Sequence, residues 1–433
     1  MSAPVRLGLL GLGTVGQGVL RVLARNAELI EQRAGRPIRV VHASARDLDK
    51  ERDCDLTGVR LSANPLDVAR DPEVDIVVEL IGGTSVAREC VEAALQAGKP
   101  VVTANKALVA ECGNQLFDED HFPNAVLSYE AAVAGGIPII KAVREGLAGN
   151  RVSEVAGIIN GTCNYILTQM SAHGVAFDEV LSEAQKLGYA EADPTFDVDG
   201  IDAAHKLSIL ASIAFGIPLA FKQLLVEGIR GVQAKDISLA RELGYTIKHL
   251  GIAKRVADGV ELRVHPTLIP SEQLLAKVDG VLNSVVVQGD AVGRTGYYGA
   301  GAGAEATASA VLADVIDLVR GDNSSAVPAL GFHQDAVSSL PIVERANIEA
   351  AYFLRLTVAD QPGVLRAITS ILAERDISVE AILQKEPKQG EDASVALISS
   401  VTREGLIDAA IQDMQALAQV RAPIARLRVE SLD

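Results

Sequence analysis

The sequence predicts an α/β protein of several domains that begins with a doubly wound parallel sheet. Its 433 residues are too many for one ordinary domain. In the first third, short Val/Ile/Leu runs alternate with longer segments of helical periodicity, which is typical of strands joined by crossover helices. The last part, from residue 350, has the order βαββαβ, which predicts a separate ferredoxin-like domain.

The first domain is assigned to residues 1–135. Its helices include Val86–Ala97, which Gly98 closes as a C-cap. The predicted strands are Val5–Leu10, Ile38–Ala43, Val74–Ile81 and Pro100–Val102.

The second domain, residues 136–325, mixes strands and helices and is predicted to be an α+β substrate and dimerisation domain. We expect its last helix, Ala304–Arg320, to pack back on the first domain. The other predicted elements are strand Val152–Ile159, helix Asn164–His173, helix Asp202–Phe215, and strands near Leu225–Ile229, Leu262–Leu268 and Ser284–Gln288.

Residues 321–350 contain Asn323-Ser324-Ser325, two prolines and little periodicity, which indicates a linker. The third domain, residues 350–433, is predicted to be separate from the enzyme core. Its predicted elements are Ala351–Val358, Pro362–Arg375, Ile377–Gln384, Ala393–Val401, Glu404–Ala416 and Ile424–Val429.

Charge and composition exclude several classes of function. The net charge of −16 repels nucleic acid, and no run of basic residues offsets it. The apolar runs are too short to span a membrane, and the N-terminus leaves no room for a signal peptide. The four cysteines form no CxxC pair and are expected to be reduced thiols. We therefore expect a cytoplasmic protein without nucleic-acid or membrane partners.

The segment Gly11-Leu12-Gly13-Thr14-Val15-Gly16 follows the first strand and opens a helix. In a GxGxxG turn the first glycine permits the tight turn, the second admits a pyrophosphate, and the third lets helix and strand pack closely. The helix N-terminus then favours the bound anion. These residues predict a Rossmann-type domain that binds a nicotinamide dinucleotide.

The end of the second strand lacks the acid that would bind the ribose 2′-hydroxyl of NAD. The chain there carries Arg46, with Lys50 a little further on. Arginine can bind a 2′-phosphate, so these residues favour NADP, with NAD as the alternative. A solvated surface charge is an equally open interpretation of Arg46.

A stretch from Gly188 to Lys206 places five carboxylates before one lysine. Asp202 and Lys206 are four residues apart and share one helix face, and Asp199 is a plausible N-cap. The EF-hand calcium pattern fails because Ile201 occupies a ligand position. The favoured interpretation is an anionic pocket for an ammonium group, beside a buried lysine that acts as a general acid.

Two other segments carry polar residues at positions where ligands bind. Thr103-Ala104-Asn105-Lys106 follows a strand at the carboxyl edge of the sheet. Asn160-Gly161-Thr162-Cys163-Asn164-Tyr165 is a strand-to-helix turn, which could be only a cap. Neither segment decides the function by itself.

Taken together, the motifs resemble homoserine dehydrogenase, which interconverts L-aspartate 4-semialdehyde and L-homoserine in threonine, methionine and isoleucine biosynthesis. The resemblance rests on GLGTVG, TANK, NGTCNYIL and GYAEADPTFDVDGIDAAHK, and covers about residues 5–320. GAGAEATASAV at 301–311 is also similar, although Glu305-Ala306 stand where the family commonly has a proline.

The resemblance implies roles for particular residues. Lys206 is the expected proton donor to the aldehyde oxygen. Glu191, Asp202 and Lys106 are expected at the substrate, with Lys106, Gly188 and Gly303 at the cofactor. A monovalent cation, expected to be sodium, would match the Glu130 side chain and the carbonyl groups of Val133, Gly135 and Ile137.

The C-terminal module resembles an ACT domain, marked by Asp360-Gln361-Pro362-Gly363-Val364-Leu365 between its first strand and first helix. This resemblance implies regulation by an amino acid, for which threonine is the favoured effector, and a homodimer or homotetramer. A dimerisation module without a ligand is the alternative. For the whole chain, the alternatives are another NAD(P)-dependent amino-acid-carbonyl dehydrogenase and a nucleotide-binding sensor without catalysis.

Overall fold

The computed structural model describes residues 3–123, 125–321, 328–385 and 392–432. The chain divides into two compact units. The first comprises Met1–Val155, Ala204–Leu224 and Leu282–Leu340, and the second comprises Ala156–Ala203, Leu225–Val281 and Pro341–Asp433.

The first unit contains a parallel sheet with the predicted doubly wound order. The order across the sheet is Arg60–Ser62, Ile38–Ser44, Val5–Leu10, Ile76–Glu79, Val101–Thr103 and Leu127–Ser128. Every pair of neighbouring strands is parallel. The direction of winding reverses between Val5–Leu10 and Ile76–Glu79, and ligands of such sheets bind beyond the carboxyl ends of the strands at this point.

Helices of the first unit pack on this sheet through aliphatic residues. Helix Ala304–Arg320 lies against helix Thr14–Arg25, with Val311 and Val315 in the same buried cluster as Val19. The other main helices are Ala27–Ala34, Pro65–Arg70, Val86–Gln96, Lys106–Leu116 and most of Ile201–Phe215. An antiparallel hairpin joins Leu282–Gly289 to Gly293–Ala300.

The second unit is built on a mixed sheet. Among the strands that lie in this unit, the order along the sheet is Tyr245–Val256, Gly259–Pro270, Ala425–Val429, Glu349–Val358, Ala393–Ser399 and Val379–Lys385. The main helices are Gly161–His173, Phe177–Lys186, Ala234–Glu242, Val364–Ala373 and Glu404–Gln415.

The last four strands in that order, with the last two helices, form the ferredoxin-like module that the sequence predicts. The module differs from the prediction because it is not separate. Its strand Ala425–Val429 pairs in parallel with Gly259–Pro270, at Thr267 with Arg428 and Leu268 with Val429. An edge strand has unpaired backbone groups, and this pairing satisfies part of them.

Part of the predicted linker is paired with the second unit. The Val260 amide donates to the Pro341 carbonyl oxygen (2.9 Å), and the Val343 amide donates to the Val260 carbonyl oxygen (3.0 Å). Asn323-Ser324-Ser325 lie outside the described residues. Among the helices that the structure describes, none combines the length and the apolar character that a membrane span requires.

Candidate functional site

The Gly-rich turn after strand Val5–Leu10 has the backbone that the sequence predicts. Gly11 has φ +107°, and a Cβ on Gly16 would lie 2.2 Å from the Gly11 carbonyl oxygen, so both positions need glycine. Gly13 is the N-cap of helix Thr14–Arg25, without a side-chain cap, and a Cβ there would meet no atom within 4 Å. The helix N-terminus, with the amides of Thr14 and Val15, therefore remains open to an anion such as a pyrophosphate.

A cavity of about 700 Å³ opens at this turn, and its wall includes Gly11, Gly13, Ser44, Arg46, Lys50 and Arg52. The Ser44 hydroxyl oxygen accepts from the Gly11 amide (3.2 Å), which joins the end of the second strand to the turn. The Asp47 carboxylate accepts from the amides of Asp49 (3.0 Å) and Lys50 (3.1 Å), and these hydrogen bonds hold the loop that carries the three cations in a compact turn. The structure thus brings the predicted Arg46 and Lys50 to the Gly-rich turn, together with Arg52, which the sequence analysis missed.

Glu79 is a second residue that the sequence analysis missed. Its side chain is fully buried at the carboxyl end of strand Ile76–Glu79, where it accepts from the Ile81 amide (2.7 Å) and the Gly82 amide (3.1 Å). It also accepts from the Thr103 hydroxyl (2.6 Å). A charged residue inside the apolar run 74–81 is the signal that could have found it, because buried charges are rare unless they are paired.

The same network holds the start of the helix that begins at Lys106. The Asn105 side-chain oxygen accepts from the Leu108 amide (3.1 Å) and caps this helix. The Asn105 side-chain nitrogen donates to the Gly83 carbonyl oxygen (2.7 Å), and the Asn105 amide donates to the Thr103 hydroxyl oxygen (3.0 Å). Lys106 therefore stands on a turn whose position is fixed at three places.

The first unit also contains Lys206, which is buried and 8% exposed. Its neighbour His205 pairs with Glu111 on helix Lys106–Leu116, at 3.2 Å between His205 Nε2 and Glu111 Oε1. One turn further along that helix, the Asn114 side chain makes two hydrogen bonds to the Leu219 backbone, at 2.9 and 3.0 Å. These contacts join the helix of Lys106 to the segment of Lys206.

In the second unit, the side-chain amide of Asn160 is hydrogen-bonded to two carboxylates. Asn160 is the N-cap of helix Gly161–His173, and its side-chain oxygen accepts from the Cys163 amide (2.8 Å). Its side-chain nitrogen donates both to Asp197 (2.8 Å) and to Asp202 (2.9 Å). Asn160 is thus more than a cap, and it holds Asp202, which is 3% exposed, beside Asp197.

The other predicted residues of this motif lie in irregular backbone. Glu191 is exposed, and its carbonyl oxygen accepts from the Gln185 side chain (3.0 Å). Gly188 has φ +76° just after helix Phe177–Lys186. The prediction of Asp199 as an N-cap is wrong, because the helix begins at Ile201 and the Asp199 carboxylate pairs with Arg230 (2.6 Å).

Gly303 and its neighbours form the start of helix Ala304–Arg320 in the first unit. Gly303 is the N-cap and has φ +127°. Glu305 lies in the first turn of this helix and pairs with Arg25 (2.7 Å). A carboxylate in the first turn of a helix is favoured by the helix dipole.

Glu130, the side chain predicted to bind a cation, is buried. Its carboxylate accepts from the backbone amides of Ile140 (2.9 Å) and Lys141 (2.8 Å). Burial and the neighbouring carboxylate of Asp314 raise the pKa of Glu130 to about 7. The following backbone is left-handed at Ala134 (φ +55°) and again at Gly135. Among the described residues, no group of three or more His, Cys, Asp or Glu side chains could hold a metal ion.

Models of known families match most of the chain. Residues 11–130 match the homoserine dehydrogenase NAD-binding domain, and residues 138–316 match homoserine dehydrogenase. Residues 352–419 match the ACT domain.

Two relatives are similar to this chain over almost its full length. Homoserine dehydrogenase of Pseudomonas aeruginosa is 53% identical, with 99% of this chain and 100% of the relative covered. The enzyme of Neisseria gonorrhoeae is 49% identical, with 99% of each chain covered.

A crystal structure of homoserine dehydrogenase from Thiobacillus denitrificans has a TM-score of 0.94 and 54% identity, covering 100% of this chain and 99% of that chain. A hyperthermophilic archaeal homoserine dehydrogenase in complex with NADPH has a TM-score of 0.60 and 26% identity, covering 73% of this chain and 97% of that chain. The chain therefore belongs to the homoserine dehydrogenase family and carries the C-terminal ACT regulatory domain.

Proposed function

We propose that this homoserine dehydrogenase interconverts L-aspartate 4-semialdehyde and L-homoserine with NADP(H) in preference to NAD(H). The observation that carries the cofactor preference is the wall of the cavity at the Gly-rich turn. Arg46, Lys50 and Arg52 line it, and the adjacent strand ends at Ser44 without an acid. Three cations favour a 2′-phosphate, which a carboxylate in their place would repel. The archaeal relative was solved in complex with NADPH, which supports NADP(H) as a cofactor of this chain.

When bound, the reduced cofactor supplies the hydride to the aldehyde carbon. Lys206 donates a proton to the oxygen of that carbonyl group as negative charge develops on it. The burial of Lys206 suits this role, since a hydrogen bond from an ammonium group to developing negative charge is stronger away from water. Lys106 begins a helix at the carboxyl edge of the sheet and contributes a second positive charge for the substrate and cofactor.

The substrate ammonium is bound by Asp202, with Glu191 as the second carboxylate. The side chain of Asn160 holds Asp202 beside Asp197, which adds a further negative charge next to the proposed ammonium ligand. Binding energy from this end of the substrate orients the aldehyde toward Lys206. Asp202 and Lys206 lie one turn apart on helix Ile201–Phe215, which allows one helix to supply both functions.

The test is the loss of NADPH absorbance with aspartate 4-semialdehyde, compared with succinate semialdehyde, which lacks the amino group. We expect kcat/KM to fall by about 10²-fold or more for the analogue, because the buried carboxylate of Asp202 would lose its cationic partner. NADH should give a lower kcat/KM than NADPH. Equal rates with both aldehydes would contradict ammonium recognition, and no turnover would indicate a sensor without catalysis.

The ACT domain is proposed to bind an amino-acid effector, with threonine favoured because homoserine is its precursor. Its Gly363 has φ +95° and is the N-cap of helix Val364–Ala373, without a side-chain cap. Asp360, Gln361 and Gly363 are exposed. An effector carboxylate can therefore approach the free amides of this helix.

We propose that a monovalent cation, expected to be sodium, binds to the Glu130 side chain and the carbonyl groups of Val133, Gly135 and Ile137. Oxygen ligands suit such a hard cation, and its charge would favour the ionised form of the buried Glu130. Replacing sodium with choline in the assay tests this proposal.

We also propose a homodimer or homotetramer, since Tyr298 on strand Gly293–Ala300 is 76% exposed. Light scattering of the purified protein measures the oligomeric state.

A further inference from the structure

A cluster of ion pairs in the second unit lies on the last strand of the ACT module. Arg428 is 1% exposed and donates to both oxygens of Glu227, at 2.8 and 3.1 Å. Arg426 donates to Glu227 as well (2.9 Å). Both arginines also contact Glu404, which is fully buried at the start of helix Glu404–Gln415.

Glu227 belongs to the short segment 227–230, whose backbone is anchored on two sides. Its amide donates to the Val264 carbonyl oxygen (2.7 Å). Its own carbonyl oxygen lies 3.0 Å from Nε2 of His249. Burial lowers the pKa of His249 to about 4, so the ring is neutral at neutral pH and its N–H can donate here.

Segment 227–230 also contacts Val198 and Asp199, which lie just before the helix that carries Asp202. The Ile229 amide donates to the Val198 carbonyl oxygen (2.8 Å). A Cβ on Gly228 would lie 2.3 Å from that oxygen and 2.5 Å from the Asp199 Cα, so only glycine allows this approach. Arg230 then pairs with the Asp199 carboxylate (2.6 Å).

We propose that Glu227 is a positioning residue for substrate binding. Its ion pairs with Arg428 and Arg426 hold segment 227–230 against residues 195–200, and this contact fixes the start of the helix that carries Asp202. The ACT strand Ala425–Val429 is therefore part of the support of the substrate pocket. The inference rests on the proposed role of Asp202 as a substrate ligand.

Glu227→Gln in the full-length enzyme tests the proposal, because it keeps the shape of the side chain and leaves Arg428 paired with Glu404. The matched control is Asp236→Asn. Asp236 also forms a buried ion pair with an ACT strand, through Arg355, and its carboxylate accepts from the Gln233 amide (2.8 Å); both partners lie outside segment 227–230 and residues 195–200.

We expect Glu227→Gln to raise the KM for aspartate 4-semialdehyde about tenfold, since small displacements of positioning groups are costly. The KM for NADPH should change less than about twofold, because the Gly-rich turn belongs to other elements. Asp236→Asn should leave both constants within about twofold. A second variant, Arg230→Gln, alters a half-exposed pair and should raise the same KM about threefold.

Two outcomes would overturn the inference. One is an equal rise of the semialdehyde KM in Glu227→Gln and Asp236→Asn, which would mean that any loosening of the ACT module has this effect. The other is an unchanged KM in both Glu227→Gln and Arg230→Gln. Asp202→Asn separates the proposed function from the inference. If this variant has an unchanged KM, the substrate role of Asp202 fails. If its KM is raised while the KM of both Glu227→Gln and Arg230→Gln is unchanged, only the positioning role is refuted.

Discussion

Glu79→Gln is expected to loosen the carboxyl edge of the parallel sheet, where we propose that the cofactor binds. The Glu79 carboxylate receives hydrogen bonds from the amides of Ile81 and Gly82 and from the Thr103 hydroxyl, and water does not reach it. It therefore joins the loop after one strand to the turn after the next. The glutamine variant has the same shape and one fewer acceptor oxygen.

The magnitude follows from the hydrogen bonds that the variant loses. A glutamine oxygen can still accept from Ile81 and Gly82, but its NH₂ group faces the Thr103 hydroxyl oxygen, which already accepts from Asn105 (3.0 Å). The hydroxyl proton is then left without its acceptor. A hydrogen bond to a charged group is worth about 1.5–3 kcal/mol, and a buried unsatisfied donor costs about 1–3 kcal/mol. We expect the free energy of unfolding to fall by about 2–4 kcal/mol.

Urea unfolding and NADPH titration check this prediction together. The urea midpoint should fall, and the Kd for NADPH should rise, because Leu80 and Ile81 line the cavity that we propose as the cofactor site. Thr103→Val should resemble Glu79→Gln with a smaller effect, whereas Thr103→Ser keeps the hydroxyl group and should retain more of the stability. A Glu79→Gln enzyme with the original urea midpoint and the original Kd for NADPH would refute this reasoning.

Three other predictions concern the proposed catalytic, cofactor and effector residues. Lys206→Ala should lower kcat by about 10²-fold or more while the Kd for NADPH stays constant, and near-normal turnover in single-turnover assays would exclude Lys206 as the acid. Arg46→Ala should raise the Kd for NADPH by about tenfold to hundredfold relative to the Kd for NADH. Equal losses of affinity for both cofactors in fluorescence titrations would show that Arg46 is only a surface charge. In the unaltered enzyme, we expect threonine to change substrate affinity by about five- to 150-fold. Gly363→Ala should remove this inhibition and leave the rate without threonine unchanged. An unaltered enzyme that millimolar threonine does not inhibit would show that threonine is not the effector.

Local signals in the sequence predicted most of the secondary structure. Val5–Leu10 and Ala304–Arg320 have the predicted bounds, because unbroken apolar periodicity and flanking glycines mark both. The twelve-residue strand Tyr245–Val256 was missed because Lys248 and His249 interrupt its apolar pattern. In the fold, Lys248 is 2% exposed and donates to the Val278 carbonyl oxygen (2.7 Å) and to Asp279 (2.8 Å). A buried lysine is tolerated there only because these tertiary partners exist.

The sequence by itself determined the family, the Gly-rich turn and the motif from Gly188 to Lys206, because each of these depends on residues that are close along the chain. Only the tertiary structure decided that Glu79 links Ile81 to Thr103, and that the ACT module continues the sheet of the second unit. Only the fold pairs Glu227 with Arg428, 201 positions further along the chain. The spacing between such partners carries no periodic signal. Burial is what makes these ion pairs necessary, because a charge removed from water must find an opposite charge or several hydrogen bonds.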